Sequence, residues 1–310
     1  MRARQLEVFR TVMRAGTVTA AARALNVSQP ALSQILLHTE DELGFRLFER
    51  VRGRLVPTPE AEELFPEADR LFEDLDNLRR LALDLKHGRA GTVRLAASAP
   101  PALSFVPRSL RTFRAAHPGV RTLSYVVPVD VIVSMLDRGQ AALGLAMNDQ
   151  KLPAVDTEII AHTELVCVMP EKHKLARRRQ IGVADLEGHT VISYRGAALP
   201  GILLERALAR EGARLRPDIE IDVSIIALAF VQQGLGIAVV DGLLPWASFP
   251  GLAVRPFRPA VALPLCLLTS TRRPLSRGHD LLRTELRRAV HAHAGSAEAI
   301  GVLRPAAAAP

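Results

Sequence analysis

Hydrophobic residues in the first part of the chain recur at the spacing of three short helices. Apolar positions follow a helical period over 6–13, and the pattern stops at Gly16, a residue suited to the left-handed turn that ends helices. Thr17 is placed to cap a second helix over 18–25, whose alanines permit close packing, and Ser28 is placed to cap a third. This order predicts a helix-turn-helix, although short structural bundles also contain alanines and caps.

A winged arrangement is predicted directly after the third helix. Residues 43–58 contain two short extended runs about a glycine turn, and Arg50, Arg52 and Arg54 stand at the rim of that turn. Arginines beside a glycine on a hairpin are suited to contact phosphates or a narrow minor groove. A solvated turn is the alternative. The pattern therefore predicts a winged helix-turn-helix domain over 1–60.

A longer helical pattern follows, with apolar residues at alternating steps of four and three. Such a heptad seam, about three heptads long, is typical of a helix that pairs with a second helix. We interpret 61–90 as a linker helix that ends at 88–91 and forms a dimer, with packing on the protein's own C-terminal domain as the alternative. A dimer also presents two recognition helices to a two-part operator. The seam consists of Leu64, Leu71, Leu75 and Leu78, which we assign to the dimer interface, together with Ala68, Ala82 and Leu85.

From residue 91 onward the chain alternates between strand and helix patterns. This alternation predicts a parallel sheet with crossover helices. Two stretches, each a helix followed by a glycine and an apolar strand, form a weak internal repeat. We assign this domain to 91–295 and the Ala/Pro-rich segment 296–310 to a disordered tail. The strands are predicted at 92–97, 120–127, 141–146, 166–169, 191–194, 219–223, 237–240 and 263–268, and the helices at 104–116, 130–138, 199–210, 225–233 and 279–292.

Composition and charge fit a cytoplasmic protein with an anionic partner. Hydrophobic residues make up 48% of the chain and charged residues 23%, which argues against wholesale disorder. The formal net charge of +8 indicates an anionic partner but does not locate the contact, because the first sixty residues hold only nine arginines against six acidic residues. Two cysteines cannot form a disulfide framework or a four-thiolate zinc site. The arginine-rich start has no apolar run, so we predict no signal peptide.

Motifs of catalysis and metal binding do not occur in the sequence. It contains no His-Glu-x-x-His, no phosphate-cradling Gly-x-x-x-x-Gly-Lys and no Gly-x-Ser-x-Gly nucleophile elbow. A candidate metal-ligand cluster consists of His162, Cys167 and His173. However, Cys167 lies in the apolar run 165–169, so we interpret it, like Cys266, as a buried, inert cysteine. A redox-sensing thiol is the alternative, although neither cysteine has an activating charge nearby in sequence. We predict no enzyme activity, no metal and no cofactor.

The N-terminal motifs resemble those of one protein family. The run GTVTAAARALNVSQPALSQ (16–34), then Glu40, 43–44 and 47–50, is similar in order and spacing to the LysR-type transcriptional regulators. The usual Thr-x-Ala-Gly after the wing is replaced by Thr-Pro-Glu-Ala at 58–61, but proline and glutamate suit the start of a helix. Within the family, the chain most resembles regulators of amino-acid and opine metabolism.

This resemblance implies an α+β multidomain protein with a winged helix-turn-helix, a long linker helix and a two-lobe α/β effector domain similar to periplasmic binding proteins. The third helix then lies in the major groove with its first turn toward the bases. Side-chain amides there can donate to and accept from adenine together, and a proline offers apolar contact. The DNA-binding residues that we assign are Thr17, Ser28, Gln29, Pro30, Ser33, Gln34, Arg50, Arg52 and Arg54.

A small-molecule effector is expected between the two lobes. In open α/β sheets, ligands bind beyond the carboxyl ends of strands and at helix N-termini, where unpaired backbone donors attract anions. Arg195 is suited to hold a carboxylate and Asp130 an amino group, which together suit an amino-acid-like effector. The alternatives are that Asp130 and Ser224 are only helix caps and that Arg195 is solvated. The rule selects Ser98, Ala99, Asp130, Asn148, Tyr194, Arg195 and Ser224.

The combined prediction is a cytoplasmic, ligand-responsive, DNA-binding transcriptional regulator without catalytic activity. The expected partners are double-stranded DNA, a small-molecule effector, RNA polymerase and further copies of the chain in a homodimer or homotetramer, with no membrane contact. The alternative is a small-molecule binding protein whose N-terminal bundle serves only association. The salt dependence of duplex binding separates these two functions.

Overall fold

The structure divides into two compact units. The computed structural model describes residues 1–52, 54–86, 91–148, 151–294 and 304–305. The first unit is Met1–Leu83 and the second is Asp84–Pro310. The helix predicted as a separate linker thus belongs largely to the first unit. The glycine of the wing turn, the predicted end of the linker at 88–90 and most of the predicted tail lie outside the described residues.

The first unit has the winged helix-turn-helix fold that the sequence predicts. Its elements are α1 (Ala3–Ala15), α2 (Val18–Ala24), α3 (Gln29–Leu43), β1 (Phe48–Val51), β2 (Arg54–Pro57) and α4 (Pro59–Lys86). Helix α1 ends at Gly16, whose φ of 70° lies in the left-handed region that glycine favours. Thr17 Oγ accepts the backbone N–H of Ala20 at 3.2 Å, and Ser28 Oγ accepts that of Ala31 at 3.4 Å. These two hydroxyls cap α2 and α3 as predicted.

The core of the first unit takes one apolar face from each of its helices and the start of the wing. Val8 and Phe9 of α1 are fully buried, and the small side chains of Ala21 and Ala22 let α2 approach closely. The rings of Phe9 and Phe48 have centroids 6.1 Å apart, so the first strand of the wing joins the same core. This packing is the physical reason for the helical spacing of the apolar residues.

Helix α4 has a packed part followed by an exposed apolar stripe. Ala68 is buried, and Leu64 packs against the core of its own unit. Leu64 thus contributes to the core of its own unit, and its part in a dimer interface stays a prediction. Further along the helix, Leu71, Leu75 and Leu78 are 55%, 38% and 61% exposed. The exposed seam thus begins at Leu71.

The second unit is an α/β domain with two lobes that share one mixed sheet. The strand order is β4-β3-β5-β12-β6-β10-β8-β9, with β11 pairing β6 and β7, and β13 pairing β6. The strands are β3 (Thr92–Ala97), β4 (Arg121–Val126), β5 (Leu143–Met147), β6 (Val155–Pro170), β7 (Ile181–Gly182), β8 (Val191–Tyr194), β9 (Ile219–Ile221), β10 (Ile237–Asp241), β11 (Leu252–Arg258), β12 (Ala262–Ser270) and β13 (Arg304–Pro305). The helices are α5 (Ala99–Ser104), α6 (Val106–Ala116), α7 (Val129–Asp137), α8 (Leu199–Arg210), α9 (Ile225–Gln232) and α10 (Arg277–Ala294), with short 3₁₀ helices at Lys174–Arg177, Ala184–Leu186 and Trp246–Ser248.

Parallel pairing holds within each lobe but not between the lobes. In the first lobe β3 is parallel to β4 and β5, and in the second β8 is parallel to β9 and β10. Strands β6 and β12 pair antiparallel with their neighbours, so the prediction of a wholly parallel sheet is wrong for the middle of the domain. Strand β6 is predicted only at 166–169 but spans sixteen residues, pairing first with β12 and then with β10 and β11. This strand carries the chain from the first lobe into the second.

Each lobe has its own apolar core. Leu95 and Leu145 are buried in the first lobe, and Ile192 and Val239 are buried in the second. Helix α10 packs on β3 and α6, so the chain returns to the first lobe. The pair Arg304–Pro305, predicted within a disordered tail, instead forms the short strand β13 against β6. Over the part of the chain that the structure describes, no helix combines the length and apolarity needed to cross a membrane.

Candidate functional site

The first turn of α3 presents the predicted base-reading side chains to solvent. Gln29, Pro30 and Gln34 are exposed, and Ser33 is half-buried. Gln29 Nε2 donates a hydrogen bond to Ser33 Oγ at 3.0 Å, one helical turn further on. This hydrogen bond therefore fixes the orientation of the Gln29 and Ser33 side chains relative to each other. An exposed amide in the first turn of a recognition helix is suited to bond an adenine edge in the major groove.

Thr17 and Ser28 combine a structural role with their predicted DNA role. Their side-chain oxygens accept backbone N–H groups at the starts of α2 and α3. Both residues remain exposed. Because a hydroxyl that accepts one hydrogen bond still has its own hydrogen to donate, each can also donate to a phosphate oxygen.

The wing carries its three arginines at the tip of a two-stranded ribbon. Arg50, Arg52 and Arg54 are all exposed, and none forms an ion pair with another described residue. Arg54 pairs across the ribbon with Val51, whereas Arg50 pairs with Leu55. Since cross-strand partners share a face, Arg50 and Arg54 lie on opposite faces of the ribbon. The wing therefore ends in a tip that carries positive charge on both faces of the ribbon.

Two side chains fix the wing against the recognition helix. The Glu40 carboxylate of α3 accepts the backbone N–H groups of Leu47 and Phe48 at 2.8 and 3.1 Å. At the same base of the ribbon, directly after β2, Thr58 Oγ1 donates to the carbonyl of Arg46 at 2.8 Å. Glu40 thus ties the base of the wing to α3, and Thr58 joins the end of β2 to the segment that precedes β1.

The carboxyl ends of the parallel strands in both lobes meet where β6 passes from one lobe to the other. In the first lobe, β5 ends at Met147, which pairs with Leu265 of β12. In the second lobe, β10 ends at Asp241, which pairs with Leu165 of β6. Thr163 lies just before this crossing. The rule for ligand sites in open α/β sheets therefore predicts a site at these strand ends. We call the region around Met147, Thr163 and Asp241 the lobe junction.

Three buried hydroxyl groups stand at strand ends or crossings of the lobe junction. Ser98 follows β3, Thr163 lies in β6, and Ser224 precedes α9. All three hydroxyl oxygens are buried. Those of Ser98 and Thr163 have no hydrogen-bond partner among the described residues, whereas the Ser224 hydroxyl lies beside the Asp241 carboxylate and lowers its pKa. A buried polar group left without a partner costs about 1–3 kcal/mol. A bound molecule can therefore supply these hydroxyls with hydrogen-bond partners that the fold does not provide.

A buried network occupies the second-lobe side of the junction. The Tyr194 hydroxyl donates to Asp241 Oδ2 at 2.6 Å, the backbone N–H of Leu243 donates to Asp241 Oδ1 at 2.9 Å, and Trp246 Nε1 donates to the Asp241 carbonyl at 2.7 Å. Burial raises the pKa of Tyr194, and the neighbouring carboxylate raises it further. Burial also raises the pKa of Asp241, against a lowering effect of the nearby Ser224 hydroxyl. Tyr194 is thus committed to Asp241, and it holds the ends of β8 and β10 together.

The remaining predicted effector residues differ in their surroundings. Asn148 is buried after β5, and its backbone N–H donates to a carbonyl of β12 at 3.2 Å. Ala99 is the first residue of α5, and Asp130 is exposed in the first turn of α7. Arg195 Nε forms a close ion pair with Asp222, and both side chains are mostly exposed. Arg195 therefore has a counter-ion in Asp222, and its contact with an effector carboxylate stays a prediction.

Sequence reasoning missed Thr163 and Asp241. Asp241 directly follows the apolar run 237–240, so the strand-end rule applied there would have selected it. Thr163 had no comparable local signal, because it lies in the part of β6 that was not predicted as a strand. Its place at the lobe junction follows only from the pairing of distant strands.

The cysteines have the surroundings that the sequence suggested. Cys167 and Cys266 are free and buried. Burial raises the pKa of the Cys167 thiol far above its ordinary value, which disfavours a reactive thiolate. The Cys266 thiol donates to the carbonyl of Asn148 at 3.2 Å. Within the described ranges, no group of three His, Cys, Asp or Glu side chains is placed to hold a metal ion.

Two family models match the chain. The model described as bacterial regulatory helix-turn-helix protein, lysR family, matches residues 3–62. The model described as LysR substrate binding domain matches residues 86–291. Together they cover the winged helix-turn-helix and both lobes of the second unit.

Similar proteins include named regulators from several bacteria. The regulatory protein NocR of Agrobacterium fabrum is 31% identical over 88% of this chain and 92% of its own length. The transcriptional activator protein LysR of Escherichia coli is 32% identical over 88% of each chain. The octopine catabolism/uptake operon regulatory protein OccR of Rhizobium meliloti is 33% identical over 83% of this chain and 85% of its own.

Solved structures share the fold at lower sequence identity. Full-length CbnR in complex with its target DNA superposes with a TM-score of 0.70 at 22% identity, covering 93% of this chain and 100% of that one. Full-length BenM superposes with a TM-score of 0.55 at 22% identity, covering 96% and 99%. The order of a winged helix-turn-helix, a long helix and a two-lobe domain is common to these proteins.

Proposed function

Because the chain belongs to the LysR family of DNA-binding transcriptional regulators, we propose that an anionic, amino-acid-like effector bound at the lobe junction controls its activity. The observation that carries this proposal is the set of buried hydroxyls of Ser98, Thr163 and Ser224 at the lobe junction, of which those of Ser98 and Thr163 have no partner among the described residues. Hydroxyl groups donate hydrogen bonds and so complement the acceptor oxygens of a carboxylate. Asp130, exposed at the start of α7, is the proposed partner of an amino group.

The positions of these three hydroxyls allow a bound effector to change the separation of the two lobes. Ser98 belongs to the first lobe, Ser224 to the second, and Thr163 to the strand that joins them. An effector that contacts all three hydroxyls has a higher affinity for the arrangement with the lobes close together than for the arrangement with the lobes apart. Only such a difference in affinity shifts a conformational equilibrium.

The names of related proteins support the effector class. One relative with 33% identity is named for the catabolism and uptake of octopine, an amino-acid derivative. Amino acids and their carboxylate-bearing conjugates are therefore the compounds to test first on this chain.

For the DNA-binding unit, we propose that α3 reads bases and that the wing contacts the backbone. Gln29 is the central base contact, because its amide is exposed in the first turn and oriented by Ser33. The wing arginines supply charge without sequence information. The proposed contact residues are Thr17, Ser28, Gln29, Pro30, Ser33, Gln34, Arg50, Arg52 and Arg54.

We further propose a homo-oligomer that acts in the cytoplasm without catalysis. The stripe of Leu71, Leu75 and Leu78 on α4 is exposed in a single chain, and a second copy of the helix would cover it. Such a pair presents two recognition helices, and a tetramer would pair two such dimers. RNA polymerase is the proposed further partner, as expected for a regulator of transcription.

Calorimetric titration of the full-length protein with amino acids and opines tests the effector proposal. We expect one class of these compounds to bind wild type and to raise the midpoint of thermal unfolding, because a ligand stabilises the state it binds. Ser98→Ala, Thr163→Val and Ser224→Ala should each weaken that binding by about 0.5–3 kcal/mol, the range that covers single hydrogen bonds to uncharged and to charged groups.

Ser109→Ala is the matched control for this titration. Ser109 is also a buried serine of the first lobe, but its hydroxyl already donates to the carbonyl of Phe105 at 2.9 Å. The control variant should lose some stability and keep its effector affinity. Normal affinity in all three junction variants would show that the effector binds elsewhere, and failure of every amino-acid compound would exclude the proposed class.

A further inference from the structure

The second lobe carries a dense run of positive charge between β6 and β7. Residues 171–180 include five basic side chains and a single acidic one. All five are exposed, and only Arg178 has an ion-pair partner among the described residues, Asp185 at 3.0 Å. We call the five residues the basic run; they are Lys172, Lys174, Arg177, Arg178 and Arg179.

Several contacts hold the backbone of the basic run in place. Leu175 and Ala176 are buried in the core of the second lobe. His173 Nδ1 accepts the backbone N–H of Leu175 at 3.2 Å and caps the short 3₁₀ helix. Arg255 of β11 donates to the carbonyl of Arg178 at 2.8 Å and to that of Ala176. The charges therefore stand on a fixed scaffold rather than on a loose loop.

Four arginines in and near α10, in contrast, are each paired with a carboxylate. Two of these carboxylates belong to α10 itself, and the other two belong to α7 and β6. These pairs are Arg272–Asp137 at 3.0 Å, Arg283–Asp280 at 2.5 Å, Arg287–Glu158 at 2.5 Å and Arg288–Glu285 at 2.8 Å. In the basic run, four of the five cations have no acidic partner among the residues that the structure describes, and they repel one another. An external anion with several charges would relieve that repulsion.

We propose that the basic run is a second, sequence-independent DNA contact that binds the phosphate backbone of duplex DNA. The eight positions 172–179 span roughly 15–25 Å at the rise of 3₁₀ and extended chain. That length spans several phosphates of a strand. Arginine and lysine both bind phosphate oxygens, arginine often through two parallel hydrogen bonds.

Duplex DNA fits the basic run better than an acidic protein does. The chain belongs to a family of DNA-binding regulators, so the winged helix-turn-helix already brings it to a duplex. A second contact on the same chain then forms at a high effective concentration of phosphate. The basic run also has no exposed apolar anchor between its charges, since Leu175 and Ala176 are buried, whereas protein interfaces depend on apolar or aromatic anchors.

The salt dependence of DNA binding by the full-length protein tests this proposal. The test variant is Lys174→Gln, Arg177→Gln and Arg179→Gln together, and the probe is a random-sequence duplex of about six helical turns. Each lost phosphate contact lowers the slope of log affinity against log salt concentration by about 0.9. We expect the slope of the test variant to fall by roughly two to three units for each bound protomer.

A second triple variant separates a local contact from a general loss of charge. Arg210, Arg214 and Arg216 are also exposed and lie at and after the end of α8. Their joint replacement by glutamine removes the same charge and should leave the slope close to that of wild type. Equal thermal unfolding midpoints would show that both variants are folded.

Two results would overturn the proposal. The test variant could keep the wild-type slope, or the control variant could lose as much slope as the test variant. If the slope is unchanged and the test variant has also lost binding to a polyglutamate peptide, the basic run is assigned to an acidic protein instead.

Discussion

The Nε atom of Arg10 lies 2.7 Å from Oδ1 of Asp69, and this pair fastens α1 to α4. Arg14 donates to the other carboxylate oxygen of Asp69 at 3.0 Å. Burial by itself raises the pKa of Asp69, but hydrogen bonds and charge from the two arginines outweigh it, and the pKa is lowered overall. The buried Asp69 carboxylate thus adds to the apolar packing of α4 in holding the long helix against α1.

Asp69→Asn should lower the free energy of unfolding by about 1.5–3 kcal/mol, because hydrogen bonds to charged groups are lost and two arginines lose their counter-ion. Urea unfolding followed by circular dichroism measures this change. Glu67→Gln is the control, since Glu67 pairs with Arg70 on the exposed surface of the same helix. A similar loss in both variants would mean that the Asp69 contacts have no special role.

Gln29→Ala should weaken operator binding by roughly 1–3 kcal/mol and leave binding to random duplex nearly unchanged, because base contacts specify and phosphate contacts position. The variant also releases Ser33 from its 3.0 Å hydrogen bond. Fluorescence anisotropy with an operator and a scrambled duplex gives both affinities. Arg52→Gln is the comparison, and it should weaken binding to both duplexes. If Gln29→Ala weakens both equally, Gln29 does not read bases.

Leu71→Asp combined with Leu75→Asp should abolish dimers and operator binding together, because carboxylates buried at a helix interface without partners are costly. Sedimentation velocity measures the oligomeric state. Asp74→Ser on the same helix, outside the seam, serves as the control and should remain dimeric. A double variant that still dimerises would place the interface on another surface.

Thr163→Val should stabilise the effector-free protein by about 1 kcal/mol, because it replaces an unpartnered buried hydroxyl with a methyl group of similar shape. The same variant should bind effector more weakly. Chemical unfolding measures the first effect and calorimetry the second. A loss of stability in the absence of effector would show that the Thr163 hydroxyl already has a partner, such as a bound water.

His279 should make the stability of the protein depend on pH. Its Nε2 accepts the backbone N–H of Arg94 at 3.2 Å, and its Nδ1 lies 2.7 Å from Ser276 Oγ. Burial, and then the charge of Arg94, lowers the pKa of His279 to about 4. The unfolded chain has the ordinary histidine pKa near 6.5, so it binds a proton before the folded state does as pH falls.

Stability from His279 is therefore full above about pH 6.5 and decreases as the pH falls toward 4, by about 2 kcal/mol at pH 5. Urea unfolding at several pH values measures this decrease. His279→Gln should remove most of it, whereas His291→Gln, at an exposed position of the same helix, should not. An unchanged pH profile in His279→Gln would assign the dependence to other groups.

The sequence determined the local features of this protein. The end of α1 at Gly16, the caps at Thr17 and Ser28, and the two strands of the wing all follow from residues within a few positions of each other. Helix ends and hairpins form hydrogen bonds between near neighbours in the chain, so their signals are short. The family motifs of the recognition helix lie in the same segment, and for that reason the DNA-binding candidates could be named in advance.

The lobe junction was decided only by the tertiary structure. Strand β6 contains both the first-lobe and the second-lobe pairing segments, and its neighbours β10 and β12 come about seventy to a hundred positions later in the chain. Thr163 becomes a candidate ligand contact, Leu64 joins the core of its own unit, and Arg195 meets Asp222 for the same reason. Strand pairing, burial and ion pairing depend on which distant residues become neighbours, and no local pattern of hydrophobic and polar positions contains that information.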